Sequence, residues 1–313
     1  MSASNIITTG SFLMPDELYP KIWQKIQDGS ALAKLAPSEG FMYGDTDVIT
    51  FTGLPKAEFV AEGGTKSPAT TEFGQKTVAT HKAQVTVRMT DEVRMWDEQH
   101  QIGALGSVAD AIGNAVARAL DLGAIHAINP LTGLTATSIT DYLGLTTNSV
   151  TASQGDPQAD LDAAVALLLN AKYTPDGFAL TPLYANQFRT QRNSHTGVSL
   201  FPEVPLNVRS TGYISGLPVA VTDTVSAPEA AAETGLLGLI GNFAAGFKWG
   251  VVRNMPLSLI EYGDPDGLGD LKRKNQVAIR AEVYYAWGVM DPDAFVKIES
   301  GASGATGATG TTN

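Results

Sequence analysis

The residues best suited to chemistry in this 313-residue chain are its four histidines, His81, His100, His126 and His195, with the acids near them. No two of them stand at i, i+4, so the His-Glu-x-x-His pattern that aims two imidazoles at one zinc is absent. Asp97-Glu98-Gln99-His100 offers cation ligands in one stretch, but it reads more simply as a solvated helix end. Ser194 and His195 are sequence neighbours, which does not make a hydroxyl–imidazole dyad, and no Gly-x-Ser-x-Gly elbow is present. Gly267-Leu-Gly269 precedes Lys272 without the spacing of a phosphate loop, and Asp264, Asp266 and Asp270 read as a polar turn. The chain has no cysteine, which excludes disulfides, thiolate metal sites and cysteine nucleophiles. The expectation is therefore no metal, no cofactor and no ordinary active site. A hydrolase built around His195 is the minor alternative.

The elements around these residues have clearer patterns. Pro15-Asp16-Glu17 places a proline and two acids in a first helical turn, and Leu18, Ile22, Trp23 and Ile26 continue at helical spacing to Gly29. Asp47–Thr52 reads as a strand. Its expected partner is 83–89, where Ala83, Val85, Val87 and Met89 alternate with Gln84, Thr86 and Arg88. About thirty residues lie between them with few apolar anchors: Phe59, Val60, Phe73 and Val78. An isolated two-stranded ribbon is marginal in water, and long excursions without a core are uncommon in compact domains. This hairpin is therefore either mobile or supported by another molecule.

Thr90-Asp91-Glu92 opens a short helix to Glu98. Then Ile102, Leu105, Val108, Ile112, Val116 and Leu120 step by three and four, and Ile125 and Ile128 extend the run to Pro130. Asp110, Arg118 and Asp121 are its only charges over 102–125, so this helix must be covered on more than one side. Residues 131–157 read as a loop region. Asp160–Ala171 is a helix with Leu161, Val165, Leu168 and Leu169 inward, and Leu183–Arg192 is another. Short strands are expected over 177–182, 216–222, 235–240, 247–252 and 257–262, with a long one from Gln276 to Val289. This mixture is an α+β pattern with a small central sheet. The last residues carry glycine at 301, 304, 307 and 310. That is too few triplets, without proline, for a collagen helix, so a disordered tail over 301–313 is expected.

Bulk properties narrow the partners. The net charge of -11 disfavours a grip on phosphate backbone, although many enzymes are equally acidic. No stretch approaches the ~20 apolar residues of a membrane span, and the start lacks a signal-peptide pattern, so action in a cytoplasm is the default.

Read in order, these segments resemble the major capsid protein of tailed double-stranded-DNA bacteriophages, the Hong Kong ninety-seven type. Val60-Ala-Glu62-Gly63-Gly64 with Lys66 and Phe73-Gly-Gln is similar to the family's extended E-loop. The helix carrying Ile112, Val116 and Leu120 resembles its spine helix. Gly216-Leu-Pro-Val-Ala-Val with Leu239-Ile-Gly-Asn-Phe243 resembles its axial domain, with Asn242 where aspartate is commoner. Ala281-Glu282 through Asp291-Pro-Asp-Ala-Phe-Val296 resembles the closing peripheral-domain strand. The resemblance implies an N-terminal arm and short helix over 1–40, the E-loop hairpin over 41–89, a peripheral domain with the spine helix over 90–130, an axial domain over 131–262, and a peripheral return strand over 263–300. It implies hexamers and pentamers of this one chain tiling an icosahedral shell around double-stranded DNA, without sequence-specific binding and without a membrane. The shell would be assembled in a host cytoplasm with a separate scaffolding protein and a portal. E-loop residues Phe59, Val60, Glu62, Gly63, Gly64, Lys66 and Phe73 would contact a neighbouring subunit. In some members an E-loop lysine is welded to a peripheral asparagine with help from a glutamate, and Lys66, Asn275 and Glu282 stand at the matching places. Their plainer reading is a surface lysine, a strand-end asparagine and a salt-bridge partner. An encapsulin-like compartment of the same fold is the other alternative.

Overall fold

The alternating stretch 83–89 belongs to a far longer strand. In a computed structural model of the chain, β2 (Phe73–Thr90) runs for 18 residues. The structure describes residues 18–51, 57–68, 73–92, 98–153, 155–193, 195–207, 212–253 and 257–301. The expected arm, the helix start at Pro15, most of the short helix ahead of Glu98, Ser194 and the tail beyond Gly301 lie outside the described residues.

β1 (Thr46–Phe51) pairs with the first third of β2, Phe51 opposite Phe73 and Thr46 opposite Val78. The remainder, Ala79–Thr90, pairs with β10 (Gln276–Val289). The expected pairing of 47–52 with 83–89 is thus corrected. Residues 73–82 carry little apolar contrast between faces, so the period of two becomes visible only from Ala83 onward. Val78, expected in the excursion, is fully buried in the body of the protein. The loop joining β1 to β2 spans 52–72.

β8 (Phe247–Arg253) and β9 (Leu257–Ile260) also pair with β10, which completes a five-stranded sheet. A second, six-stranded sheet has the order β3 (Ser149–Ala152), β11 (Phe295–Ser300), β7 (Leu236–Gly241), β4 (Gly177–Leu180), β6 (Leu217–Val221), β5 (Gly212–Ile214). The strands thus divide between two sheets. Residues 247–253 and 257–260, grouped by sequence with 131–262, hydrogen-bond into the first sheet. The run after 263 divides between both, β10 in one and β11 in the other. Strand membership is a long-range property that local periodicity does not carry.

Among the described residues the α-helices are α1 (Leu18–Gly29), α2 (Ala31–Leu35), α3 (Glu98–His126), α4 (Pro157–Asn170), α5 (Pro182–Thr190) and α6 (Phe243–Gly246). Ile112, Val116 and Leu120 of α3 are wholly buried, in one cluster with Ile279, Val283, Tyr285 and Trp287 of β10 and with Ile26 and Leu32. Each such side chain contributes about 1.5–3 kcal/mol of hydrophobic burial. The Tyr285 hydroxyl donates to the Val116 carbonyl at 3.1 Å, fastening helix to sheet. From Val116 to Ile125 most of α3 is buried, so it is covered on more than one side as expected.

α4 and α5 bury Leu161, Leu168, Tyr184 and Phe188 on the second sheet against Phe178, Val219, Ile240 and Ile298. Leu169, expected inward, is 56% exposed. One residue past Leu168, it falls about 100° off the buried stripe.

Asp121 is a charge within the apolar face of α3, and it is fully buried. It accepts hydrogen bonds from Ser30 Oγ (2.5 Å), Ala31 N (3.0 Å), Leu32 N (3.3 Å) and Thr224 Oγ1 (2.8 Å). One carboxylate thereby caps the start of α2 and ties it to the turn after β6. Burial raises its pKa, and the four hydrogen bonds pull it partly back.

Candidate functional site

The ribbon that carries the 52–72 loop is rooted in the first sheet by polar and aromatic contacts. Lys76 Nζ lies 3.5 Å from Asp141, whose other carboxylate oxygen accepts the Val289 N–H at 2.9 Å. The His81 ring stacks on Trp287 with centroids 4.1 Å apart, and burial lowers the His81 pKa. Beyond this root, residues 57–68 are exposed throughout.

The tip has its own order. Gly64 N–H donates to the Ala61 carbonyl at 2.9 Å, closing a β-turn in which Gly63 has φ 79°, the left-handed region that favours glycine. A Cβ on Gly64 would stand 2.7 Å from Val60 Cγ1. Glu58 accepts the Ser67 N–H at 2.6 Å, which holds its carboxyl below the usual range. Phe59 is fully exposed, at 109%. A bare phenyl ring on a loop without a core gains about 1.5–3 kcal/mol when another surface covers it.

A second built feature stands at the opposite end of β2. Arg88 reaches Asp266 through Nε (2.7 Å) and Nη2, and Asp264 through Nη2 (3.0 Å). Arg280 Nη2 donates to the Pro265 carbonyl at 2.6 Å, and Leu271 is fully buried. These contacts fix the 263–275 loop. On its outer side Lys272 lies 5.2 Å from the centre of the exposed Tyr262 ring. Arg273 is exposed and makes no ion pair among the described residues.

Each residue singled out by sequence can now be placed. Phe59, Val60, Glu62, Gly63, Gly64 and Lys66 all lie exposed on the loop. Phe73 begins β2, and its side chain is outside the described residues. Ile112, Val116 and Leu120 form the buried stripe of α3. Asn275 adopts a left-handed conformation, φ 55°, one residue before β10. Glu282 pairs with Lys82 at 3.0 Å. Asn275 and Glu282 are about 23 Å apart along the chain, and Lys66 is on the loop at the far end of β2, so one subunit does not bring the three together. Asn242 caps α6 by accepting the Ala245 N–H, a role that an aspartate would fill equally.

Among the described residues His81, His126 and His195 do not share a site. His195 is exposed on a hairpin beside Asn193, and its N–H donates to the Asn193 side chain. His126 borders a cavity of about 330 Å³ lined also by Tyr142, Glu233, Lys297 and Glu299, and its Nε2 is engaged by the Val225 carbonyl. His195 does not line that cavity. Among the described residues no group of three or more histidines and acids stands close enough to hold a metal, and no helix is long and apolar enough to cross a membrane.

Sequence reasoning missed the Asp121 clamp, the Asp141 anchor and the Arg88–Asp264–Asp266 network. Only Asp121 left a local trace, a lone acid inside an apolar helical stripe.

The phage capsid family matches residues 10–300 of the chain. A solved structure from Mycobacterium phage Ogopogo is 39% identical, covering 87% of this chain and 92% of its own, with a TM-score of 0.73. One from Gordonia phage Cozz is 30% identical over 87% of both chains, also at 0.73. A structure titled as the capsid of an empty GTA particle, 16% identical with a TM-score of 0.60, shares the fold. No curated protein sequence matches the chain.

Proposed function

The chain belongs to the phage capsid family, and from that premise we propose that copies of it assemble as hexamers and pentamers into an icosahedral shell enclosing a phage genome. In this reading 52–72 is the E-loop, α3 is the spine helix, and Phe59, Val60, Glu62, Gly63, Gly64 and Lys66 lie against a neighbouring subunit. The observation that carries the proposal is the loop itself: twelve exposed residues in a defined conformation, with a bare Phe59, on a two-stranded ribbon. An ordered tip of that kind has little to hold it in place on a lone subunit.

The net charge of -11 suits a container wall that encloses double-stranded DNA without gripping it. Assembly in the host cytoplasm, a separate scaffolding protein and a portal complete the reading, and no catalytic step is assigned to the chain.

The test replaces residues 57–68 with a short Gly-Ser linker. Both cores lie elsewhere, so the variant subunit stays soluble and folded but forms no particles. Normal particles from the linker variant overturn the proposal. An encapsulin-like compartment is separated by content: shells purified from an infected host carry DNA in our reading and an enzyme cargo in the other.

A further inference from the structure

The cavity of about 330 Å³ at the end of α3 has no part in shell assembly as described above. Its walls come from separate stretches of chain: the end of α3, the turns at 133–135 and 142–144, the 230–236 loop and β11. Close packing fixes these walls. Gly133 has φ 69°, and a Cβ there would stand 2.3 Å from the Glu229 carbonyl oxygen. A Cβ on Gly144 would stand 2.8 Å from the Ile125 carbonyl oxygen. The Ala231 N–H donates to the Gly133 carbonyl at 2.8 Å, which ties two of the walls together. Such a volume, pre-formed, is at the lower end of the range of small-ligand sites.

The lining has a definite chemistry. Val296 and Ile298 of β11 are buried in the sheet, so the alternate residues Lys297 and Glu299 point the other way and line the cavity. Lys297 Nζ lies 3.2 Å from one Glu299 oxygen and 3.4 Å from the Gly144 carbonyl, so the protein already engages its charge. The other Glu299 oxygen, the Glu233 carboxylate and the Tyr142 hydroxyl have no hydrogen-bond or ion-pair partner among the described residues. His126 donates from Nε2 to the Val225 carbonyl, and burial lowers its pKa, so its ring is neutral near pH 7. Two carboxylates against one ammonium leave the lining with a net negative charge. His126 also brings the cavity to the C-terminal, negative end of the 29-residue α3. Between these charges the walls are apolar, from Ile128, Leu134 and Leu236.

These features select among ligands. Among the described residues no three histidines or acids stand close enough to hold a metal, so His126, Glu233 and Glu299 do not converge on one point charge. An inorganic anion would face two carboxylates and find Lys297 already engaged. A cation with two charges joined by a methylene chain matches the lining: each ammonium meets a carboxylate, and the chain lies on the apolar walls. The geometry points to this cavity as a binding site for a small aliphatic diamine, with one ammonium on Glu233, the other on the free oxygen of Glu299, and the Tyr142 hydroxyl as a further acceptor. The site lies within one subunit and stands apart from shell assembly.

Calorimetric titration of the purified full-length protein with 1,4-diaminobutane tests this. Saturable binding of one diamine per chain is expected, about fivefold or more tighter than butylamine, which carries a single ammonium. Glu233→Gln and Glu299→Gln each weaken diamine binding about fivefold or more, and Lys297→Gln strengthens it by removing a competing charge. Asp162→Asn, at an exposed acid of α4, leaves it unchanged. Circular dichroism checks that each variant is folded. Should Glu299→Gln fail to fold, Glu233→Gln decides, because Glu233 is exposed and its side chain holds no other element in place. Absence of saturable binding, equal binding of butylamine, or diamine binding unmoved by the glutamine variants overturns the inference. Saturable binding of inorganic phosphate in place of the diamine overturns it as well.

Discussion

Replacing Asp121 with alanine gives the effect whose size follows most directly from the structure. The change removes both carboxylate oxygens from a fully buried site. Of the four donors, Thr224 Oγ1 has a second partner 3.1 Å away in Thr222 Oγ1, and the Ser30 hydroxyl, which accepts the Ala33 N–H, is free to rotate. The N–H groups of Ala31 and Leu32, in the first turn of α2, have no second partner among the described residues. A buried donor left unpaired costs about 1–3 kcal/mol, so two cost about 2–6 kcal/mol. Relief of the carboxylate's own desolvation offsets part of this. The net expectation is a loss of about 3 kcal/mol, a large share of the 5–15 kcal/mol typical of a folded domain. Urea unfolding of dispersed subunits, made assembly-incompetent by the 57–68 linker, reads the shift in midpoint. Asp121→Asn keeps one acceptor oxygen but turns an amide N–H toward one of the two backbone donors, and should lose about 1–3 kcal/mol. Asp121→Ala within about 0.5 kcal/mol of the parent refutes the reasoning, because that is the scatter of ordinary surface changes.

The same residue sets a pH dependence. Burial raises its folded pKa above the unfolded value of about 3.9, so folding favours the protonated form. That contribution is complete below the unfolded pKa and is lost as pH rises through the folded pKa. The parent should therefore lose more stability over that rise than Asp121→Asn, which has no proton to lose there. Identical pH profiles for the two contradict it. Val116→Asp puts a carboxylate in a fully buried site beside Tyr285, costs several kcal/mol, and should give insoluble protein. A folded, assembling variant would place the buried face of α3 elsewhere. Because Lys82 already engages Glu282, particles boiled in reducing detergent are expected to run as a single monomer band. A ladder that disappears in both Lys66→Arg and Asn275→Asp would instead establish an isopeptide weld between them.

The elements of this fold were legible in the sequence wherever burial is one-sided and local. α3 showed itself through steps of three and four because one stripe faces β10, and 83–89 through alternation because one face meets the core. The first third of β2 was invisible: Gln75, Lys76 and Thr77 stand in an almost faceless ribbon. Which sheet claimed β8 and β9 was equally hidden, since that depends on β10 lying beside them. The loop tip was readable from Gly63, Gly64 and the scarcity of apolar anchors. The network that fixes the 263–275 loop was not, because Arg88 and Asp266 meet across 178 residues of chain.

The central claim is self-assembly into a closed shell, and particle size tests it most directly. Purified full-length protein, concentrated and viewed by electron microscopy with sedimentation alongside, should show closed, uniform, fast-sedimenting shells built of rings. A species that stays a monomer or small oligomer across protein and salt concentrations, with or without a co-expressed scaffolding protein, would contradict the account.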